Sequence, residues 1–339
     1  MSTNGGLLKY IKNFNLVLIF LISSININFL QILISPLKLI NKSKYDDVIA
    51  YSKSAFSKLL ILVNNSSTIR LYNYKSINKK SIIISNHQLY TDWLYLWCLL
   101  YKLNINHDKL VIILKNSLKH IPILGWGMQF FNFIFLKRNW SKDETTLNNQ
   151  LGSISDDNFT LLLFPEGTTL SNESRPRSIR YTEKIGVKDF DHLLYPRVTG
   201  LLASIRALKH NSLVDIIDTT IAYPNIPKDI YGQDYYSLRS IFFNGKFPDI
   251  IHMHMNSYSL EDIPIDNDEN FTKWLLSRWQ EKEKRLELFE RSNALDEADD
   301  YEDIPITFNK PLMHTLDAFV WFVPMIITWL IYKTIVNLL

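Results

Sequence analysis

Long apolar stretches lie near both ends of the chain. The first runs from Phe14 to Ile40 with no charged residue before Lys38, and the second runs from Ala318 to Tyr332. About 20 consecutive apolar residues can cross a bilayer as a helix. The first stretch therefore predicts a membrane-anchoring segment over residues 1–45, and the second predicts a membrane-associated helix within residues 312–339.

The polar residues of the first stretch recur every three to four positions and so share one helical face. Because that face does not suit lipid tails, a helical hairpin or re-entrant pair fits as well as one straight span. A cleaved signal peptide fits less well, since the apolar part is long and no small-residue cleavage site follows. Lysines flank both ends, so charge does not set the orientation. The C-terminal stretch has two interpretations, a helix that crosses the membrane and a helix that packs on the protein. The polar residues of the first stretch are Ser24, Asn28, Gln31 and Ser35.

Between these ends, short apolar runs alternate with amphipathic ones. The runs are rich in β-branched and aromatic residues and are nearly continuous, as in strands covered on both faces. The pattern predicts an α/β fold, a mixed sheet covered by helices, with residues 46–291 as the main domain. Predicted strands lie within 81–85, 110–115, 131–137, 159–167, 214–223 and 247–255, and predicted helices within 91–103, 145–155 and 271–291.

An acidic segment follows the last predicted helix. Six acidic residues lie between Asp296 and Asp303. They lack the glycine and the spacing of a calcium-binding loop. We therefore interpret residues 292–311 as a solvated acidic linker.

Composition excludes several classes of protein. The 339 residues carry a formal net charge of +3 without a dense basic patch, which does not favour nucleic-acid binding. Cys98 is the only cysteine, so an intrachain disulfide framework and a cysteine-rich zinc site are excluded. Its apolar neighbours indicate a buried side chain and not a reactive thiol.

A histidine and an aspartate lie at the end of the first predicted strand of the main domain. His87 falls at the strand-to-helix turn and Asp92 one turn into the helix. The carboxylate can accept a hydrogen bond from the imidazole Nδ1, which leaves Nε2 free as a general base. A structural histidine held by a nearby aspartate is the competing interpretation of this pair alone.

A second polar turn follows the strand that begins near Leu161. Pro165 stiffens the strand end, and Gly167 lets the backbone approach a ligand closely. Glu166 between them can orient a hydroxyl-bearing substrate, and the amides that follow can meet an anion.

Together the two turns resemble a known family. The sequences NHQLYTD (86–92) and FPEGT (164–168) resemble the Asn-His-x4-Asp and Phe-Pro-Glu-Gly-Thr blocks of the glycerolipid acyltransferases, of the lysophosphatidic acid acyltransferase type. Segments 114–127 and 133–138 resemble the blocks between them. The likeness covers residues 71–291, and its later part is most similar to the lysocardiolipin and lysophosphatidylinositol acyltransferase branch of eukaryotes.

The resemblance implies a membrane-bound enzyme of the endoplasmic reticulum, or of lipid droplets or mitochondria. It would move a fatty acyl group from acyl-CoA, a co-substrate, to the free glycerol hydroxyl of a lysophospholipid, without a covalent acyl-enzyme. It would bind the phospholipid bilayer, hold no tightly bound cofactor or metal, and bind no nucleic acid. His87 and Asp92 would be catalytic. The implied substrate-binding residues are Asn86, Lys115, Arg138, Glu166, Gly167 and Thr168.

Some interpretations stay open. For Lys115, a solvated surface position competes with a phosphate contact, whereas a guanidinium at Arg138 matches phosphate oxygens bidentately. The function alternatives are a lysophosphatidic acid acyltransferase and a catalytically silent lipid-binding scaffold. His252 and His254 share one strand face and can hold a metal, although ordinary strand positions are the simpler interpretation.

One position departs from the family block, which commonly ends in arginine. Here Thr169 follows Thr168. A missing guanidinium disfavours a terminal phosphomonoester acceptor and favours a phosphodiester headgroup. The arginines that can compensate are Arg175, Arg177 and Arg180.

Overall fold

Eight strands form one mixed sheet in the computed structural model of this chain. The structure describes residues 3–64, 66–154, 158–210, 212–298, 300–308 and 333. The strands are β1 Thr68–Tyr72, β2 Lys80–Ser85, β3 Leu110–Lys115, β4 Ile134–Leu136, β5 Phe159–Leu163, β6 Asp215–Ala222, β7 Ile250–Ser259 and β8 Tyr301–Pro305. The helices are α1 Thr3–Ile34, α2 Leu37–Ile40, α3 Lys42–Val63, α4 Asp92–Lys102, α5 Leu124–Phe130, α6 Trp140–Gly152, α7 Arg175–Ile185, α8 Val198–Lys209, α9 Gly232–Tyr235, α10 Leu238–Phe242 and α11 Asp268–Ser292.

The strand order across the sheet is β4-β3-β5-β2-β6-β7-β1-β8. The five strands from β4 to β6 are mutually parallel. β7 is antiparallel to β6, β1 is parallel to β7, and β8 is antiparallel to β1. The carboxyl ends of β2, β3, β4, β5 and β6 therefore meet at one edge of the sheet.

Both faces of the sheet are buried. Along β2, Ile83 belongs to the apolar cluster that includes α3 and α4, whereas Ile82 and Ile84 belong to the cluster that includes α6, α8 and α11. Consecutive strand side chains point to opposite faces, so a continuous apolar run is what a doubly covered sheet requires. The predicted α/β fold with helices on both faces is confirmed.

The predicted elements of the main domain are present, and their bounds differ locally. The run over 131–137 contains only the three-residue strand β4, because Phe131 and Phe133 are buried core residues before the strand begins. The helix predicted within 145–155 is α6, which begins earlier, at Trp140. The pattern did not reveal β1, which precedes the first predicted strand.

Two predicted domain boundaries need correction. Residues 292–311 are not simply a solvated linker, since they contain β8, which pairs with β1 through registers such as Tyr72 with Tyr301. Arg70 of β1 also makes two side-chain hydrogen bonds of 2.8 Å to Asp303. At the other end, the boundary predicted between residues 45 and 46 falls inside α3. The predicted C-terminal membrane-associated helix, residues 312–339, lies outside the described residues apart from residue 333.

The N-terminal apolar stretch forms one continuous helix up to Ile34, α1, which is the straight arrangement that the sequence left open and not a hairpin within the stretch. α1 packs against α3 and α5. Its predicted polar face turns toward the protein at Ser24, Asn28 and Gln31, which are buried, whereas Ser35 is exposed. The Asn28 amide donates to the Ile123 carbonyl oxygen at 2.6 Å and so fastens α1 to the segment before α5.

The opposite face of α1 is apolar and open. Phe14, Leu18, Ile25 and Ile32 are 51%, 44%, 47% and 56% exposed. By length and composition, residues Tyr10–Ile34 form a helix able to cross a membrane. A buried polar face opposite an exposed apolar one is what a helix needs when it lies between protein and lipid. The arrangement supports membrane association of this segment.

Gly125 allows α5 to pack closely on the 3₁₀ helix Asn116–His120. A Cβ atom at Gly125 would lie 2.6 Å from the carbonyl oxygens of Leu118 and Lys119, and backbone cannot move aside easily. Gly152, at the end of α6, has no atom within 4 Å of the corresponding point.

We expect Gly125→Ala to lower the free energy of unfolding by about 1–3 kcal/mol because it overpacks this contact. The matched control Gly152→Ala should be neutral or stabilising by up to about 1 kcal/mol, since alanine is the better helix former. Chemical unfolding of the detergent-solubilised variants checks this. Equal stability of the two variants would contradict the assigned contact.

Candidate active site

Four of the predicted site residues lie at the carboxyl edge of the parallel strands. His87 follows β2, Glu166 follows β5, Arg138 follows β4, and Lys115 ends β3. Ligand sites of open α/β sheets lie outside the carboxyl ends of the strands. The topology thus brings to one edge residues that are as much as 79 positions apart in the chain.

His87 and Asp92 form the predicted pair. The His87 Nδ1 lies 2.8 Å from Asp92 Oδ2, and the side chains are 17% and 0% exposed. Since a carboxylate only accepts, the neutral imidazole donates from Nδ1 and carries its lone pair on Nε2. A general base needs this arrangement.

Three further donors surround the buried Asp92 carboxylate. Oδ2 accepts from the backbone N–H groups of Gln88 at 2.7 Å and Leu89 at 3.0 Å. Oδ1 accepts from the Tyr223 hydroxyl at 2.5 Å. Burial and the charge of Asp92 hold the pKa of Tyr223 well above its usual value, so the hydroxyl keeps the proton that it donates. The satisfied carboxylate stays in one orientation and fixes the His87 ring.

The imidazole face is also held. The His87 ring stacks on Phe164, with centroids 4.1 Å apart and an interplanar angle of 18°. Within the described part of the chain, no side chain or backbone group is hydrogen-bonded to Nε2 of His87. The ring therefore has a defined orientation and an unoccupied nitrogen.

Glu166 is buried at the turn that follows β5. It is 3% exposed, and its Oε1 accepts from the backbone N–H of His87 at 3.4 Å. Burial raises the pKa of Glu166 well above its usual value, while hydrogen bonds from the Leu194 and His87 backbone act in the opposite direction. The carboxyl group thus joins two loops of the site, and the substrate contact that the sequence suggests for Glu166 stays a prediction.

Asn86 is a positioning residue. Its side chain is fully buried, donates to the Ile221 carbonyl oxygen at 2.9 Å and accepts from the Ile221 N–H at 2.8 Å. This amide continues the backbone pairing of β2 with β6 by one step. It fixes the loop that carries His87, and its polar atoms are used within the protein.

Arginine side chains surround the turn at Gly167. Arg138 Nη2 donates to the Gly167 carbonyl oxygen. Arg197, in the loop before α8, lies across Gly167, with its Cδ and Nε 3.5 Å from the point where a Cβ would be. Gly167 has a φ of +71°, a conformation that side-chain-bearing residues rarely adopt. The Thr168 side chain is half-buried, and Lys115 is exposed.

The partial burial of its side chain lowers the pKa of Arg138, and the positive charges of Arg197 and Arg177 lower it further. The guanidinium groups of Arg197 and Arg177 therefore each lie within electrostatic range of Arg138. Both Arg138 and Arg197 lack a carboxylate partner within 4 Å among the described residues. This is the pattern of a site that binds an anion.

The three arginines proposed to compensate for Thr169 have different roles. Arg175 is used within the protein, since it donates to the carbonyl oxygens of Phe190 at 2.6 Å and Leu193 at 2.8 Å. Arg180 donates to Pro176 within its own helix at 3.1 Å. Of these three arginines, Arg177 acts electrostatically on Arg138.

A buried ion pair supports the site from α11. Lys282 Nζ lies 2.6 Å from Asp218 Oδ1 on β6, and both side chains are fully buried. Lys282 also donates to the Thr219 carbonyl oxygen at 2.5 Å. Its charge partly offsets the effect of burial on Glu166. Removing one partner of such a pair leaves an uncompensated buried charge.

The histidines of β7 have protein partners. His252 Nδ1 lies 2.9 Å from the Tyr72 hydroxyl, and His254 Nε2 lies 3.5 Å from Asp296 Oδ2. In the part of the chain that the structure describes, no group of three or more His, Cys, Asp or Glu side chains is placed to hold a metal ion. Cys98 is buried in the core, and burial raises the pKa of its thiol.

Sequence reasoning missed three residues of this region. Tyr223 is the last residue of a predicted strand, and that position was the only signal for it. Arg197 and Lys282 reach the site from the loop before α8 and from α11. Nothing in their local sequence marks them, because their positions depend on how distant elements pack.

The chain matches two family models and several known proteins. Residues 63–223 match the model described as Acyltransferase, and residues 241–321 match the one described as Acyltransferase C-terminus. An uncharacterized acyltransferase of Schizosaccharomyces pombe is 36% identical over 305 residues, covering 84% of this chain and 86% of that protein. The 2-acyl-1-lysophosphatidylinositol acyltransferase of Saccharomyces cerevisiae is 32% identical, covering 82% and 80%. Lysocardiolipin acyltransferase 1 of Gallus gallus is 38% identical, covering 65% and 56%.

A solved structure shares the fold. The crystal structure of the 1-acyl-sn-glycerophosphate acyltransferase PlsC from Thermotoga maritima aligns with a TM-score of 0.50 at 13% identity, covering 85% of this chain and 98% of that one. The collinear matches extend over the sheet, the His87 and Glu166 turns and α11. By its sequence and its fold, the chain belongs to the acyltransferase family.

Proposed function

We propose that this protein transfers a fatty acyl group from acyl-CoA to the free glycerol hydroxyl of a lysophospholipid. The observation that carries the proposal is the His87–Asp92 pair, 2.8 Å apart, with Nε2 of His87 unoccupied at the carboxyl edge of the sheet. The acceptor is of the lysophosphatidylinositol or lysocardiolipin type, because relatives with these names align over most of this chain.

The reaction needs one positioned base. Nε2 of His87 takes the proton of the acceptor hydroxyl, whose oxygen forms a bond to the thioester carbonyl carbon. The carbon–sulfur bond then breaks, and the CoA thiolate leaves with the proton from the imidazolium. Asp92 stabilises the imidazolium through Nδ1. Neither a covalent acyl-enzyme nor a cofactor enters the scheme.

Backbone amides are the proposed donors to the oxyanion. Thr168 and Thr169 follow the Gly167 turn, and within the described residues their N–H groups have no hydrogen-bond acceptor. Amides after a left-handed residue converge on an anion. Donors of this kind stabilise charge that develops in the transition state.

The proposed setting is a membrane, that of the endoplasmic reticulum by the family resemblance. The exposed apolar face of α1 supports membrane attachment. A lysophospholipid reaching the site from the same membrane would not need to leave lipid completely.

His87→Ala should lower the acyl-transfer rate by about 10²- to 10⁴-fold, because it removes the general base. Product formation from acyl-CoA and lysophosphatidylinositol measures the rate. The control is His210→Ala, an exposed histidine that caps the C-terminus of α8. If the His87 variant and the control turned over at the same rate, His87 would not be the base and a lipid-binding scaffold would gain support.

Tyr223→Phe should lower kcat by roughly 10- to 100-fold with little change in either KM, because one hydrogen bond to the Asp92 carboxylate is lost. Tyr223 acts through Asp92 and does not touch substrate, which is why kcat and not KM should respond. Steady-state kinetics separate the two parameters. Tyr236→Phe, which loses a 3.4 Å bond to the Pro224 carbonyl, is the control. An unchanged kcat for Tyr223→Phe would contradict the role assigned to this hydrogen bond.

A mixed panel of lysophospholipids with one acyl-CoA tests the acceptor. We expect lysophosphatidylinositol or lysocardiolipin to exceed lysophosphatidic acid, as the two aligned relatives suggest. Mass spectrometry of the products gives relative kcat/KM values. A strong preference for lysophosphatidic acid would support the alternative acceptor and overturn the phosphodiester assignment.

A further inference from the structure

The arginine that commonly ends the family block is absent at position 169, and the structure shows that its place is closed. Thr169 is 4% exposed, and its hydroxyl donates to Oε1 of Gln233 in α9. The side chain therefore faces the protein interior and not the open edge of the sheet. A cation for this edge has to come from another part of the chain.

Two other guanidinium groups converge on the neighbouring residue. Arg138, after β4, donates to the Gly167 carbonyl oxygen. Arg197 lies across Gly167, its Cζ 3.7 Å from the missing Cβ position, while its backbone N–H donates to the Pro165 carbonyl oxygen at 2.8 Å. The backbone bond anchors Arg197 beside the turn, and the lack of a side chain at Gly167 gives its guanidinium room.

A third guanidinium completes the cluster. Arg177 of α7 acts electrostatically on Arg138, and its own carboxylate partner is Glu173, 3.7 Å away and 87% exposed. An exposed pair of this kind contributes little and yields easily to a stronger anion. The positive charges of Arg197 and Arg177 both act unfavourably on that of Arg138, and a bound negative charge would offset this.

We propose that Arg197, together with Arg138, binds the headgroup phosphate of the acceptor and replaces the arginine missing at position 169. This inference rests on the proposed function, since it names the group that holds the acceptor beside His87. The turn that carries Gly167 is tied to the base directly, because Leu170 donates through its backbone to the His87 carbonyl oxygen at 2.9 Å. A phosphate held here places the attached glycerol next to the imidazole.

The threonine at position 169 does not by itself exclude a phosphomonoester acceptor. The positive charge is moved and not lost, so charge alone does not separate a phosphomonoester from a phosphodiester. All three arginines are exposed. The side of the cluster away from Gly167 is thus open to solvent, which leaves space for a headgroup beyond the phosphate.

Binding to a catalytically inactive chain tests the proposal without relying on turnover. Full-length His87→Ala protein is titrated by calorimetry with a short-chain lysophosphatidylinositol, with and without Arg197→Gln. Loss of a bidentate charged contact should raise Kd by about 10- to 100-fold, and Arg197→Lys should fall between. Arg239→Gln, an exposed arginine of α10 outside the cluster, is the control and should stay within about twofold.

The CoA moiety of the donor also carries phosphates, so acyl-CoA is titrated in parallel. Its Kd should not change in Arg197→Gln. Weaker binding of acyl-CoA with unchanged lysophosphatidylinositol binding would overturn the proposal and assign the cluster to the donor. Unchanged binding of both would overturn it as well. If the unsubstituted protein transfers no acyl group and Arg197→Gln still weakens lysophosphatidylinositol binding, the proposed function fails while the phosphate site stands.

Discussion

The site depends on one buried carboxylate that must be fully hydrogen-bonded. Asp92 is 0% exposed, and an unpaired charge there would cost several kcal/mol. Its donors come from the His87 ring, from two backbone amides of the same loop and from Tyr223 at the end of β6. Because Asp92 also begins α4, satisfying it fixes the strand-to-helix turn, the helix and the imidazole in one arrangement.

The parallel sheet supplies the rest of the geometry. Five neighbouring strands end at one edge, so short loops after them bring together side chains that the chain keeps far apart. The side chains of Asn86 and Glu166 are hydrogen-bonded to backbone groups, and these bonds restrict the conformations of the loops. The groups left facing outward are Nε2 of His87 and the side chains of Arg138, Arg177 and Arg197. The buried polar groups thus hold the loops in place, and the more exposed polar groups are left to contact a ligand.

Features that depend on residues close together in the chain could be predicted from the sequence, whereas features that depend on the packing of distant segments could not. His87 and Asp92 are five residues apart on one turn, so their pairing is local and was predicted correctly. The strands from β2 to β7 carry apolar runs and were also found, whereas β1 was not. β8 was missed because an exposed edge strand needs few apolar residues, and its acidic side chains resemble those of a linker. Arg197 could not be assigned, since only the packed loop brings it to Gly167.

The two family regions form one structural unit. The match to the first model ends at residue 223 and the match to the second begins at 241, yet contacts cross between the two regions. Lys282 of α11 enters the sheet and pairs with Asp218, and β7 lies between β6 and β1. Gln233, between the two matched regions, accepts from Thr169 in the turn after Gly167. Since a buried ion pair is tolerated only when both partners are present, the C-terminal region is needed for the carboxyl edge of the sheet to form and is not an appendage to it.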